Sequence, residues 1–280
     1  MMAHRTESTD AAGFLRLAED IAREAGDMLL AKRPSMSTAS GDIETKSSPT
    51  DVVTALDKAS EQLIRARIQQ ARPGDRILGE EEGEAGGDSA VRWIVDPIDG
   101  TVNFLYGLPE WAVSIAVEVA GRIVAGVVNV VPRGEVFTAA LGAGAHLKTA
   151  GLGVETLRCN TGVPLGRALV ATGFGYAAGR RAVQGEVVAA VLPRVRDIRR
   201  GGSCAVDLCS VAAGRVDAYY ERGVNRWDHA AAGLVASEAG ARMGGLNGEP
   251  AGSGLVLCAA PGLFEELHDL LVPLDPERDA

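Results

Sequence analysis

Apolar residues return every three or four positions between Ala12 and Lys32, at Phe14, Leu15, Ala18, Ile21, Ala22, Ala25 and Leu29. That spacing lines one face of a helix, and Ser8, Thr9 and Asp10 stand ahead of it as caps. Residues 34–48, PSMSTASGDIETKSS, are small and polar. Helical spacing resumes from Asp51 to Gln70 through Val53, Leu56, Leu63, Ile64 and Ile68, so two helices are expected to pair. Arg72-Pro73-Gly74-Asp75 ends the second helix and Arg76-Ile77-Leu78 reads as a short strand. Gly79-Glu80-Glu81-Glu82 then leads into a Gly- and acid-rich tract that is expected to be a mobile loop.

From Val91 to Leu147 the texture changes. VRWIVD, WAVSIAVEV, RIVAGVVNVV, EVFTAAL and AGAHL are Val- and Ile-rich runs separated by turn residues, the pattern of an antiparallel meander. KTAGLGVE reads as a link. Beyond it strands and helices alternate: ALVATG, a helix at 180–195, DIRR, a helix at 203–214, VDAYYE, a helix at 227–239, GLVLCAA and a helix at 262–271. The expected class is α/β, with an α+β lobe over residues 1–150 and an α/β lobe over 151–280. No low-complexity linker separates them, so they should pack as one unit.

The 280 residues are 46% hydrophobic, enough for a large core. A net charge of −9 and a pI near 5.1 give no general attraction to nucleic acid or anionic membrane. An anionic substrate would need a local reversal of that field. No signal-peptide core and no run of about 20 apolar residues is found, and a cytoplasmic location is expected. Cys159, Cys204, Cys209 and Cys258 form no C-x-x-C pair and the four histidines are scattered. Buried reduced thiols are expected, rather than disulfides or zinc.

The candidate chemistry is carboxylate chemistry. Trp93-Ile-Val-Asp96-Pro-Ile-Asp99-Gly-Thr101 ends an apolar run in two acids. Alone it is compatible with a turn, because Pro fixes φ and Asp-Gly favours tight bends. Three more acidic motifs accompany it: Gly79-Glu80-Glu81 after a short strand; Lys46-Ser-Ser-Pro-Thr-Asp51 through Thr54 and Asp57 at a helix start; and Trp227-Asp228-His229 opening an apolar helix, where an acid also complements the helix dipole. Clustered carboxylates repel unless a cation joins them, and oxygen donors without His or Cys suit Mg²⁺. Two such ions can clamp a phosphate and activate water, and their charge reverses the local field.

These motifs, with Val102-Asn103-Phe104 behind Thr101 and Glu238-Ala-Gly240 behind Asp228, resemble the inositol monophosphatase family across almost the whole chain, and bacterial inositol-1-monophosphatases most closely. The resemblance implies a layered αβαβα sandwich, a homodimer, lithium sensitivity and two or three Mg²⁺ ions per site. One ion would be held by Glu80, Asp96 and the Ile98 carbonyl, another by Asp96, Asp99 and Asp228. Thr101 and Glu80 would orient the attacking water, with Asp51 pairing to Thr101. Ile98, Asp99, Gly100, Thr101 and Asp228 would meet the phosphate; Gly202, Ser203, Cys204 and Glu221 would meet the alcohol. The implied reaction releases phosphate from myo-inositol 1-phosphate. Histidinol phosphate, fructose 1,6-bisphosphate or a 3′-phosphonucleotide are alternative substrates, and partnership with the transcription machinery is an alternative role. Cys204, where many relatives have alanine, and Asn225-Arg226 are departures that bear on the alcohol pocket.

Other signals carry less. Gly173-Phe-Gly175-Tyr-Ala-Ala-Gly179 has the wrong spacing for a dinucleotide loop and reads as a pocket rim. There is no P-loop motif. Arg194, Arg196, Arg199 and Arg200 are expected to form a basic surface face, Trp93 and Trp111 to be core or interface anchors, and Asp207 to be a support residue.

Overall fold

The computed structural model describes residues 3–33, 43–45 and 52–279. Helix α1 (Ala3–Lys32) buries Phe14, Ala18, Ile21, Ala22, Ala25 and Leu29 along one face, as their spacing dictates. Strands β1 (Ile43–Thr45) and β2 (Val52–Thr54) pair antiparallel before α2 (Ala55–Ala71) begins. The helix expected from Asp51 therefore starts later. Val52 and Val53 favour extended backbone, and Thr54 and Asp57 form a capping box that fixes the start at Ala55.

Strand β3 (Arg76–Gly79) is followed by β4 (Gly83–Gly86), which folds back on it antiparallel. The acid-rich tract expected as a loop is thus partly a hairpin, because pairing with β3 satisfies a backbone that its side chains could not hold. After β4 come β5 (Val91–Asp99), α3 (Thr101–Tyr106), β6 (Ala112–Val119), β7 (Arg122–Val130), β8 (Glu135–Ala140), β9 (Ala145–Thr149) and β10 (Gly153–Thr156). They build an eight-stranded sheet in the order β10-β9-β8-β7-β6-β5-β3-β4. The meander is antiparallel throughout, and β3 joins β5 in parallel. KTAGLGVE is the β9–β10 hairpin, not a link, and β10 lies beyond residue 150.

The remaining elements are β11 (Leu169–Thr172), α4 (Ala178–Val191), β12 (Asp197–Arg199), α5 (Cys204–Ala212), β13 (Ala218–Glu221), α6 (Arg226–Glu238), β14 (Arg242–Gly244), β15 (Val256–Ala259) and α7 (Leu263–Leu271). A second sheet runs β12-β11-β13-β15-β14. Strand β14 escaped the sequence reading because three residues, Arg-Met-Gly, give no alternation to detect.

Three cores bind these elements into five layers. Helices α1 and α2 cover one face of the large sheet through Trp93, Val95, Val113, Ile115 and Val127. Helices α5 and α6 fill the space between the sheets, against Ile94, Ala116 and Val128 on one side and Tyr219, Val256 and Cys258 on the other. Helices α4 and α7 close the far face of the small sheet through Val187, Val191, Leu263 and Leu267. The order is αβαβα, as expected. With both sheet faces buried, central strands read as near-continuous apolar runs. Trp93 and Trp111 are core residues, and all four cysteines are buried and free. No described helix is long and apolar enough to cross a membrane.

Candidate active site

Strand β5 supplies two acids, and its pairing explains how. Asp96 faces Ser114 and Asp99 faces Ala112 on β6, so three steps along β5 match two along β6. The extra residue is a β-bulge at Pro97-Ile98, where a proline without an N–H costs the ladder nothing. In an unbroken strand, positions three apart point to opposite faces. Here Asp96 and Asp99 share the face toward α6. The Ile98 N–H donates to Asp96 Oδ1 at 3.0 Å, and the Ile98 side chain packs in the α1–α2 core.

Gly100 then turns the chain into α3 with φ +94°. A Cβ there would lie 2.8 Å from the Glu110 carbonyl oxygen, so both conformation and space call for glycine. Thr101 follows. Its hydroxyl lies 3.1 Å from the Ile98 carbonyl oxygen and 3.2 Å from Asp57 Oδ1. Asp51, expected beside Thr101, and Lys46 lie outside the described residues; the described carboxylate that meets Thr101 is Asp57.

Asp228 arrives from the other side, in the first turn of α6, where it accepts the Asn225 N–H at 2.5 Å. Ser114 Oγ donates to the Trp227 carbonyl, tying this helix start to β6. Oxygens of Asp96, Asp99 and Asp228 lie within 4.8 Å of one another. Burial, then the charges of Glu80, Asp99 and Asp228, hold the Asp96 carboxyl well above the usual range. Asp228 is raised likewise, by burial and then by Asp99 and Glu80. Asp99 is raised to about 6, chiefly by burial; hydrogen bonds from Ser203 Oγ at 2.5 Å and the Ala205 N–H at 2.7 Å oppose the shift. His229, next to Asp228, is turned away into a separate surface groove.

Glu80 follows β3, which lies beside β5, and it also borders the cavity. Its turn is held by a residue that the sequence reading missed. Glu61 on α2 is fully buried and accepts the Glu81 N–H at 2.7 Å, the Glu82 N–H at 3.0 Å and Arg65 Nε at 2.8 Å. A Cβ on Gly79 would stand 2.2 Å from Glu61 Oε1, so the carboxylate occupies the space that glycine leaves. Asp57, Ser60 and Glu61 are all fully buried, and Ser60 donates to the Pro97 carbonyl. Their i, i+3, i+4 spacing was a legible signal: a polar stripe on the inward face of an amphipathic helix. Burial raises Asp57 to about 7 against the hydrogen bonds of Thr54, with Glu81 and Glu80 adding to the rise.

The acids border a cavity of about 440 Å³. Its lining includes Glu80, Asp96, Ile98, Asp99, Gly100 and Thr101 on one side, and Gly202, Cys204, Glu221 and Asp228 from the second half of the chain. Ser203 is not in the lining; it lies behind Asp99 and caps α5. Burial raises Glu221 to about 7, offset partly by Tyr219, whose hydroxyl donates to Oε2 at 2.7 Å. Asp207 is buried behind this wall. The stretch 173–177 forms part of the rim, as its sequence suggested, and Arg200 lines the cavity too. The basic surface face is thereby corrected in part: Arg199 pairs with Asp197, while its neighbour turns inward.

A five-layer sandwich with a carboxylate-lined cavity at the end of β5 defines a phosphatase class. The chain belongs to the inositol monophosphatase family, whose pattern it matches over residues 10–274. It is 49% identical over 263 residues to the inositol-1-monophosphatase SuhB of Mycobacterium tuberculosis strain H37Rv, covering 90% of each chain. It is 40% identical over 237 residues to the Nus factor SuhB of Escherichia coli K12, covering 84% of this chain and 86% of that one. Among solved structures, Mycobacterium tuberculosis SuhB superposes with a TM-score of 0.81 at 44% identity, over 95% of this chain and 98% of that one.

Proposed function

We propose that the protein hydrolyses myo-inositol 1-phosphate to myo-inositol and phosphate with Mg²⁺ as cofactor. The observation that carries this reading is the convergence of Asp96, Asp99 and Asp228 within 4.8 Å in one cavity. The donor set fits a hard divalent cation. It is all oxygen, no histidine lines the cavity among the described residues, and the acids raise one another's affinity for protons, which a cation relieves. Glu80, Asp96 and the Ile98 carbonyl would hold one ion; Asp96, Asp99 and Asp228 would hold a second. When bound, the ions neutralise the acids and polarise the phosphate toward attack by water.

The chain's own groups do the positioning. The Thr101 hydroxyl shares its hydrogen with the Ile98 carbonyl and Asp57, which leaves a lone pair to accept a hydrogen from the attacking water. Glu80 orients that water from the opposite side. The Gly100 and Thr101 N–H groups serve the phosphate oxygens. Glu221 keeps one oxygen on the Tyr219 hydroxyl and offers the other to ring hydroxyls. With no histidine in the lining among the described residues, the leaving alkoxide takes its proton from water. Such catalysis is mainly placement and electrostatics.

The test is phosphate release from myo-inositol 1-phosphate with Mg²⁺ or EDTA, beside histidinol phosphate, fructose 1,6-bisphosphate and a 3′-phosphonucleotide. Mg²⁺-dependent turnover highest on the inositol ester is expected; equal turnover in EDTA sinks the reading. Inhibition by lithium and a dimer on gel filtration are further expectations. The name Nus factor, borne by the Escherichia coli relative, favours a second reading as a transcription partner. Co-purification with RNA polymerase factors that survives Asp96→Asn would support it.

A further inference from the structure

Residues 225 to 227 part company at the start of α6. Asn225 and Trp227 line the cavity, whereas Arg226 between them borders the surface groove that holds His229. The departure that the sequence placed at the alcohol pocket reaches it at Asn225 and leaves it at Arg226. Arg226 turns to the large sheet instead: its Nη2 donates to Oε2 of Glu118 on β6, a residue only 3% exposed. Glu118 Oε1 lies 2.8 Å from Nη2 of Arg92, its cross-strand neighbour on β5.

A buried carboxylate needs a cation, and Arg92 supplies one. Neutrality does not call for a second. Nor does the helix, because a positive charge on the first residue of α6 opposes the dipole. What Arg226 adds is a link between layers, from the helix that carries Asp228 to the strand that runs beside Asp96. Glu118 shares a sheet face with Ser114, as residues an even number apart do, and Ser114 Oγ donates to the Trp227 carbonyl at 3.4 Å. Both residues that precede Asp228 are thus tied to β6, at points about 13 Å apart along the strand. One tie fixes a point, and two fix a direction.

Asp228 is badly placed to supply that direction itself. Its Oδ2 accepts the Asn225 N–H at 2.5 Å and so caps the helix, and a cation drawn to Asp96, Asp99 and Asp228 competes for the same carboxylate. Asp96 and Asp99 stand on the sheet, whereas Asp228 comes from another layer. We infer that Glu118 and Arg226 are positioning residues: their ion pair sets the first turn of α6 on β6, and thereby the cation affinity of the Asp96–Asp99–Asp228 set. This rests on the Mg²⁺-dependent reading above.

Carboxylate sites take Mn²⁺ as well as Mg²⁺, and the EPR signal of free Mn²⁺ reports binding to the whole protein without substrate or turnover. Asp228→Asn first identifies the binding that depends on Asp228. That binding should weaken about tenfold in Arg226→Gln and equally in Glu118→Gln, the scale of a lost partner behind a metal ligand. The double variant should be no weaker than either single one, because the two act through one contact. Arg226→Lys should stay within about threefold of wild type. Arg92→Gln strips Glu118 of its other partner without touching α6; its melting temperature should fall while its Mn²⁺ affinity also stays within about threefold of wild type. Thermal melting shows which variants fold, and Glu118→Gln carries the test if Arg226→Gln does not. Unchanged Mn²⁺ affinity in the folded variants, losses that multiply in the double variant, or an equal loss in Arg92→Gln overturns the inference and leaves the phosphatase reading intact. Wild type that binds no Mn²⁺, or binding that Asp228→Asn leaves unchanged, removes both.

Discussion

On the acid side of the cavity, Asp96 and Asp99 are fixed by strand pairing and by hydrogen bonds from Ile98, Ser203 and Ala205. On the alcohol side, Arg180 and Phe174 stand on turns and a helix start, and Glu221 on the last residue of a four-residue strand. The first side places like charges in a core that resists them, a cost that protonation or a bound cation offsets. The second side mixes charges around glycine-rich backbone. Under the proposed function the difference would separate tasks: the reaction would depend on the rigid side, and choice of alcohol on the side that can vary without disturbing the sheet.

The sharpest way to break this division is Asp96→Asn. It should lower kcat by about 10²- to 10³-fold, the range seen when one group that stabilises a transition state is removed, and the melting temperature without Mg²⁺ should not fall, because a repelling charge is gone. A destabilised Asp96→Asn protein would mean that the acid wall is structural. Glu61→Gln comes next. It leaves Arg65 buried beside a weaker partner and frees the turn that carries Glu80, at a cost of up to about 3–5 kcal/mol by urea unfolding. The Mg²⁺ concentration for half-maximal rate should rise with it; an unchanged Mg²⁺ requirement would detach Glu61 from the site.

Glu221→Gln probes the opposite side. The KM for myo-inositol 1-phosphate should rise about tenfold with kcat nearly constant, the pattern of lost uniform binding. A fall in kcat alone would move Glu221 to the acid wall. The smallest effect is one of pH. Asp57 is raised from 3.8 to about 7, so the folded state holds its proton more tightly than the unfolded chain. Its contribution to stability is full below about pH 3.8 and is lost as pH climbs through about 7. Urea midpoints measured in EDTA should decline over that window, and Asp57→Asn should flatten the decline. The same slope in the variant would assign it to other groups.

Much of the acid wall was legible in the sequence because its residues sit in short contiguous motifs at element ends, where one strand run or one helix start gives the address. Most elements followed from periodicity, and their stacking into five layers from the family resemblance. What escaped depends on contacts remote in sequence. Glu61 looks like a solvated helix acid until Gly79 and the Glu81 and Glu82 N–H groups are brought to it. Arg200 looks like half of a surface pair with Arg199 until Phe174 meets it. Strands β4, β10 and β14 are each too short to show alternation, and sheet partners hold them.

The bulge at Pro97-Ile98 makes the chemistry a matter of parity. Drawing the bulge out into regular strand would leave every residue present in the protein, yet three regular steps from Asp96 would send Asp99 into the layer occupied by Trp93 and Val95. Scanning by substitution cannot detect that dependence, since no single side chain carries it. The candidate site is therefore encoded partly in where the strand bulges, and a change that abolishes the bulge without shortening the strand is more damaging than most replacements.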